Sequence, residues 1–162
     1  MSWTPEVIVF TIRRATIDDL EEIVRLRIAF LTEMESDACE TAAAAAAAIR
    51  EYTKEKLPTG EFLIWFAEHD GTIIGTSGLV YYRRPPTLHY HGDLHGYIMN
   101  MYTLPERRGQ GVASALLQTA IDHVKTTSAK RIVLHATEMG RPIYTRFGFT
   151  ATDTEMMLKL DP

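Results

Sequence analysis

The chain has 162 residues, of which 46% are hydrophobic and 23% charged, the proportions of an ordinary globular protein rather than a disordered one, and the length suits a single domain over 1–162. Lys and Arg number 17 against 21 Asp and Glu, so the net charge is −4, and without a run of five like charges a nucleic-acid partner is disfavoured. No apolar stretch nears the ~20 residues that cross a bilayer, so no membrane partner is expected; Cys39 is the only cysteine, which excludes an intrachain disulfide. Met1 to Phe10 lacks the basic-then-apolar layout of a signal peptide, and the expected compartment is the cytoplasm.

Val7 to Ile12 is β-branched and aromatic and predicts a strand. Thr16 before Asp18 and Asp19 reads as a helix N-cap with acids in the first turn, and the apolar positions from Leu20 to Leu31 give one stripe on a helix running to about Met34. Within Cys39 to Leu57, Ala42 to Ala48 is unbroken alanine, the best helix former; a surface helix is the expected reading and a mobile lid its rival. Phe62 to Glu68 and Ile73 to Tyr82 predict two strands of a hairpin turning at Asp70-Gly71. Arg83 to Gly96 reads as a long polar connection, Tyr97 to Leu104 as a strand, and Val112 to Lys125 as a helix. Arg131 to Ala136 predicts a strand, Met139 to Arg146 a short helix with Pro142 in its first turn, and Phe149 to Leu160 a closing strand. Such an order implies an α/β or α+β fold, a mixed sheet flanked by helices.

Arg107-Arg108-Gly109-Gln110-Gly111-Val112-Ala113 lies between a strand end and a helix start, where backbone N–H groups lack intrahelical acceptors and the helix dipole is positive. That is a place for an anion. Gly109 and Gly111 allow phosphate oxygens close to the main chain, and Arg108 adds charge at the rim. A Walker loop would need Lys after Gly111, and a dinucleotide fingerprint would follow the strand directly, with Gly or Ala where Ser114 stands. Glu138 could imitate a ribose-binding acid, which keeps a nicotinamide-dependent oxidoreductase open as an alternative.

Arg108-Gly109-Gln110-Gly111-Val112-Ala113 also matches the Gln/Arg-x-x-Gly-x-Gly/Ala signature of the GCN5-related N-acetyltransferase superfamily, which the sequence resembles. Met101-Tyr102-Thr103-Leu104-Pro105 upstream is similar to that family's strand along the pantetheine arm, and Ile143-Tyr144-Thr145-Arg146-Phe147-Gly148-Phe149 to its Leu-Tyr-x-x-x-Gly-Phe close. The resemblance implies a mixed, mostly antiparallel twisted sheet and an N-acetyltransferase that moves acetyl from acetyl-CoA to a primary amine of a small molecule or peptide by direct attack. It implies that the backbone of Arg108, Gly109, Gln110, Gly111, Val112 and Ala113 holds the pyrophosphate, and that Met101, Tyr102 and Thr103 bond the pantetheine like an added strand. An N–H near Met101 would serve as oxyanion donor. Tyr144 matches the family's proton donor to the departing thiolate, and homodimerisation is plausible for such a protein. Thr137 stands where many members carry Asn, a departure that puts a CoA contact there in doubt. A non-catalytic acyl-CoA-binding sensor would use the same phosphate turn and is a second alternative.

Glu33 is a candidate general base, since the end of the first helix borders the acceptor cleft in the family; an exposed glutamate is its plainer reading. Phe30, Tyr82 and Asn100 could line the acceptor pocket or simply pack. His89, His91 and His95 with Asp93 fit no zinc spacing and read as a polar loop, and Cys39 reads as an inert thiol.

Overall fold

The computed structural model describes residues 8–34, 41–152 and 154–160. Its elements are β1 (Thr11–Arg14), α1 (Leu20–Met34), α2 (Ala42–Lys56), β2 (Phe62–His69), β3 (Thr72–Arg83), β4 (Leu94–Thr103), α3 (Val112–Lys125), β5 (Arg131–Leu134) and α4 (Arg141–Arg146). The five strands form one sheet in the order β1-β2-β3-β4-β5, antiparallel except for the parallel β4–β5 pair. This is the mixed, mostly antiparallel sheet flanked by helices that the sequence implies. Cys39 lies outside the described residues.

Strand geometry sends alternate side chains to opposite faces, and β2 is apolar on both. Leu63, Trp65 and Ala67 join Val112, Leu116, Leu117, Ala120 and Val124 of α3 in one core cluster. Phe62, Ile64 and Phe66 join Ile23 and Leu26 of α1 in the other. The sheet is therefore a wall between two cores, with α3 on one side and α1 on the other. α2 lies along α1, where Arg50 donates two hydrogen bonds to the Glu21 carboxylate (2.8 and 2.7 Å).

Local chemistry fixes the boundaries. The Asp19 carboxylate accepts the Thr16 N–H at 2.8 Å at the entry to α1, as the cap pattern predicts. Asp70 (φ 48°) and Gly71 (φ 74°) both adopt the left-handed conformation that a two-residue hairpin turn of this kind demands.

Two expectations are corrected. β4 starts at Leu94, so His95 and Gly96 belong to a strand and not to the polar connection. His95 is buried, stacked on Tyr82 (5.3 Å between ring centroids) and edge-on to Tyr90 (4.9 Å), because strand alternation turns it away from solvent. The expected closing strand over Phe149 to Leu160 is absent from the described residues: Phe149 packs into the α3-side core, but 150–152 and 154–160 have no strand pairing. Met156, Met157, Leu158 and Leu160 stay exposed, so their apolar character had suggested a burial that this segment does not achieve.

Gly75 lets α3 sit close to the sheet. A Cβ there would lie 2.8 Å from Val112 Cγ1 and 3.1 Å from the Tyr102 carbonyl oxygen, which is backbone and cannot swing aside. Gly75→Val is expected to destabilise the fold by about 1–3 kcal/mol through overpacking, read as a lower urea midpoint at unchanged slope.

Candidate active site

β4 and β5 are paired from His95–Arg131 to Ile98–Leu134, and there the ladder ends while β4 continues to Thr103. Just beyond, Asn100 and Met101 stand opposite the single residue Ser77, a bulge in the β3–β4 register, and Asn100 takes φ 52°. Asparagine is one of the few non-glycine residues that enters this region readily. With its neighbour on β5 gone, the edge of β4 lines a cleft of about 550 Å³. β4 and the start of α3 form much of its wall; Phe30, Glu33, His135 and the α4 region close the rest.

At one end of the cleft stands the glycine turn. Gly109 (φ 76°) and Gly111 (φ 83°) are left-handed, and a Cβ at either would meet nothing within 4 Å, so the space beside the main chain is open. α3 begins directly after Gly111, and its first N–H groups have no acceptor inside the helix. Val112, Ala113 and Ser114 line the cleft at this point. Gln110 does not line it; its Oε1 is buried without a hydrogen-bond partner.

Arg108 is held from two sides. Its Nε donates to the Thr103 carbonyl (3.1 Å), and its Nη2 donates to both carboxylate oxygens of Glu33 at 2.7 Å. The guanidinium carbon lies 5.8 Å from the Tyr102 ring centroid. The Glu33 hydrogen bonds raise the Arg108 pKa further above its ordinary value, so the rim charge is permanent. Glu33 therefore faces the cleft as the counter-ion of Arg108, a pairing across 75 positions of sequence.

Tyr144 of α4 also lines the cleft, with its ring edge-on to Phe149 at 5.9 Å. Burial raises its pKa, so the phenol keeps its proton at neutral pH. Among the described residues no group holds its hydroxyl, which leaves that proton available. Thr137 also lines the cleft, but its Oγ1 accepts the Gly140 N–H (3.1 Å) and so supports the turn into α4. His135, which sequence reasoning passed over, reaches the cleft from just past the end of β5, and its Nδ1 lies 2.8 Å from the Tyr97 hydroxyl.

The expected site residues thus separate. Phe30, Glu33, Asn100, Met101, Tyr102, Thr103, Arg108, Gly109, Gly111, Val112, Ala113 and Tyr144 share one cleft. Tyr82 does not line it; its ring is spent on His95. Glu138 is exposed and outside the cleft, which leaves the dinucleotide alternative without its ribose-binding acid. Asn100 is buried, with its Oδ1 unpartnered.

The sequence profile of the acetyltransferase (GNAT) family matches residues 20–149. Among solved structures, a GCN5-related N-acetyltransferase from Ralstonia eutropha JMP134 is 35% identical with a TM-score of 0.86, over 94% of this chain and 99% of that one. A predicted acetyltransferase with acetyl-CoA from Clostridium acetobutylicum is 29% identical with a TM-score of 0.85, over 93% and 96%. A glucosamine 6-phosphate N-acetyltransferase from Trypanosoma brucei brucei is 27% identical over 90 residues, 56% of this chain and 59% of that protein. An N-alpha-acetyltransferase 30 from Schizosaccharomyces pombe is 37% identical over 65 residues, 38% of this chain and 43% of that protein. The alignments thus span about half the length of these curated relatives.

Proposed function

Because the chain belongs to the acetyltransferase (GNAT) family, we propose that it transfers an acetyl group from acetyl-CoA to a primary amine of a small molecule or peptide. The observation that supports this most directly is the continuity of one cleft, from the glycine turn along the free edge of β4 to Tyr144. The residues present fit the donor. The open space beside Gly109 and Gly111, the first N–H groups of α3 and Arg108 suit a pyrophosphate, which is why the backbone of Arg108 to Ala113 is assigned to it. The main chain of Met101, Tyr102 and Thr103, freed from β5, suits the amides of an extended arm.

In this reading the amine nitrogen attacks the thioester carbon, a C–N bond forms and the C–S bond breaks. An N–H near Met101 supports the charge that develops on the carbonyl oxygen. Tyr144 gives its proton to the leaving sulfur, and the proton that the new amide nitrogen must lose passes through water to restore the phenol; burial raises the Tyr144 pKa and keeps it loaded for that step. Phe30 and Asn100, both on the cleft lining, are proposed to contact the acceptor. The acceptor class is a primary amine; one curated relative's name specifies glucosamine 6-phosphate and another's N-alpha acetylation. No helix among the described residues is long and apolar enough to cross a membrane.

Calorimetric titration with acetyl-CoA, with NADH as the comparison, tests the donor assignment. Acetyl-CoA is expected to bind, and Arg108→Glu or Gly111→Asp is expected to weaken it at least about ten-fold, since each places a carboxylate against the phosphate site. Binding of NADH alone would overturn the reading. Tyr144→Phe is expected to lower kcat by about 100-fold with little change in acetyl-CoA affinity, measured by thiol release; full turnover in a chemistry-limited assay would remove Tyr144 as the acid. Binding without acetylation of any amine would favour the sensor alternative.

A further inference from the structure

We propose that His135 takes the proton from the incoming ammonium group, with Tyr97 as the residue that orients its ring. The inference rests on the acetyl-transfer reading above and identifies the group that makes the amine nucleophilic.

An amine is protonated at neutral pH and cannot attack until it loses a proton. Of the side chains lining the cleft, Glu33 is the obvious carboxylate, but both its oxygens are engaged by Arg108 at 2.7 Å. Both oxygens of that carboxylate are thus committed to the guanidinium. Arg107, Arg108 and Arg146 are cations, and Tyr144 has its own proton to give. Tyr102 keeps its proton as well, since burial raises its pKa, and His135 is the neutral nitrogen base among the described residues of that lining. It follows the last paired residue of β5 by one position, so it stands where the two strands part.

The geometry suits the role. His135 Nδ1 lies 2.8 Å from the Tyr97 oxygen, with the two rings 5.6 Å apart at 67°. With Nδ1–H donated to that oxygen, Nε2 carries the lone pair. His135 is largely exposed while Tyr97 is half-buried and anchored in β4, so the tyrosine fixes the imidazole without covering it. Burial raises the Tyr97 pKa, which keeps the phenol neutral beside the ring. Both Glu155 carboxylate oxygens lie 3.4 Å from Nε2, so they would hold a proton once Nε2 has taken it, and they place a negative charge where an ammonium would arrive. Imidazole is the side chain whose ordinary titration spans neutral pH, as a base for an amine requires.

The other charged and titratable groups facing this pair are few. Tyr82 of β3 and Arg27 of α1 act on Tyr97 through space, Glu155 comes from the C-terminal segment, and Tyr144 and Arg146 of α4 share the cleft. In the step itself an N–H bond of the ammonium breaks, its electron pair stays on nitrogen for attack, and the proton moves to Nε2. The imidazolium then returns the proton to water.

The test uses the whole chain, acetyl-CoA and a set of primary amines: glucosamine 6-phosphate, short peptides with free N-termini, and polyamines. With the best acceptor, kcat/KM is expected to show an acid limb in the unmodified protein, falling as the pH is lowered and the base takes up its own proton. His135→Gln is expected to lower kcat/KM about 100-fold at pH 7 and to abolish that limb, with acetyl-CoA binding by calorimetry unchanged. His135→Ala is expected to recover activity with added imidazole, which a merely structural role would not produce. Tyr97→Phe, which removes the orienting oxygen, is expected to displace the limb rather than erase it. A His135→Gln protein within about two-fold of the original, with the same limb, overturns the proposal and leaves the acetyl-transfer reading standing. Loss of the limb in Glu33→Gln instead would give the role to Glu33. If acetyl-CoA does not bind, or no amine is acetylated, the acetyl-transfer reading itself falls and this proposal with it.

Discussion

The site depends on one interruption. Two parallel strands, β4 and β5, share a ladder for four residue pairs and then separate, because β5 ends at Leu134 while β4 runs on to Thr103. Backbone N–H and C=O groups that have lost their ladder partners must find others or face water. The bulge at Asn100 compounds this, since two residues of β4 there oppose only Ser77. A buried sheet interior thus contains a length of strand with unspent hydrogen-bonding capacity, and every other feature of the cleft is arranged around it. Close packing of α3 on the sheet, allowed by Gly75, brings the helix start to one end of that length. α4 and the end of β5 bring Tyr144 and His135 to the cleft.

Electrostatics divides the cleft into regions with different work. The turn end has backbone dipoles and a guanidinium that stays charged at any accessible pH. The parting of the strands has the His135 imidazole in contact with the buried phenol of Tyr97, and Tyr144 elsewhere on the lining is likewise kept protonated by burial. Glu33 joins the two regions, because α1 carries it to Arg108 while the same helix places Phe30 on the cleft wall. A net charge of −4 over the whole chain says nothing of this; positive charge is supplied locally by Arg107, Arg108 and Arg146 on the lining and by a helix terminus.

Much of this was legible in the sequence, and the illegible parts have a common cause. The helical repeat of Val112, Leu116, Leu117, Ala120 and Val124 and the Asp70-Gly71 turn are short-range signals, and the structure has both where they were expected. The turn from Arg108 to Ala113 was legible because its chemistry is contiguous. His135 was missed because its significance comes from Tyr97, 38 positions away, and only the β4–β5 register brings them together. Glu33 was noticed, but its pairing with Arg108 has no sequence signal. His95 falls in a stretch that Pro85, Pro86 and three histidines mark as a polar connection, whereas β4 begins at Leu94 and buries it. The apolar residues near the C-terminus suggested a strand, but hydrophobicity alone supplies no partner to pair with.

β2 carries a further implication. In most half-buried strands polarity guards the alignment, since a shift of one position would turn greasy side chains into water. Here both faces are greasy, so a misaligned β2 would expose almost nothing. What such a shift would do is send Trp65 into the space shaped for Ile64 or Phe66, and Ala67 into one shaped for a large ring. Fidelity of alignment in this strand is therefore a matter of volume rather than solubility, enforced by size mismatch on both sides at once and by the tight connection to β3.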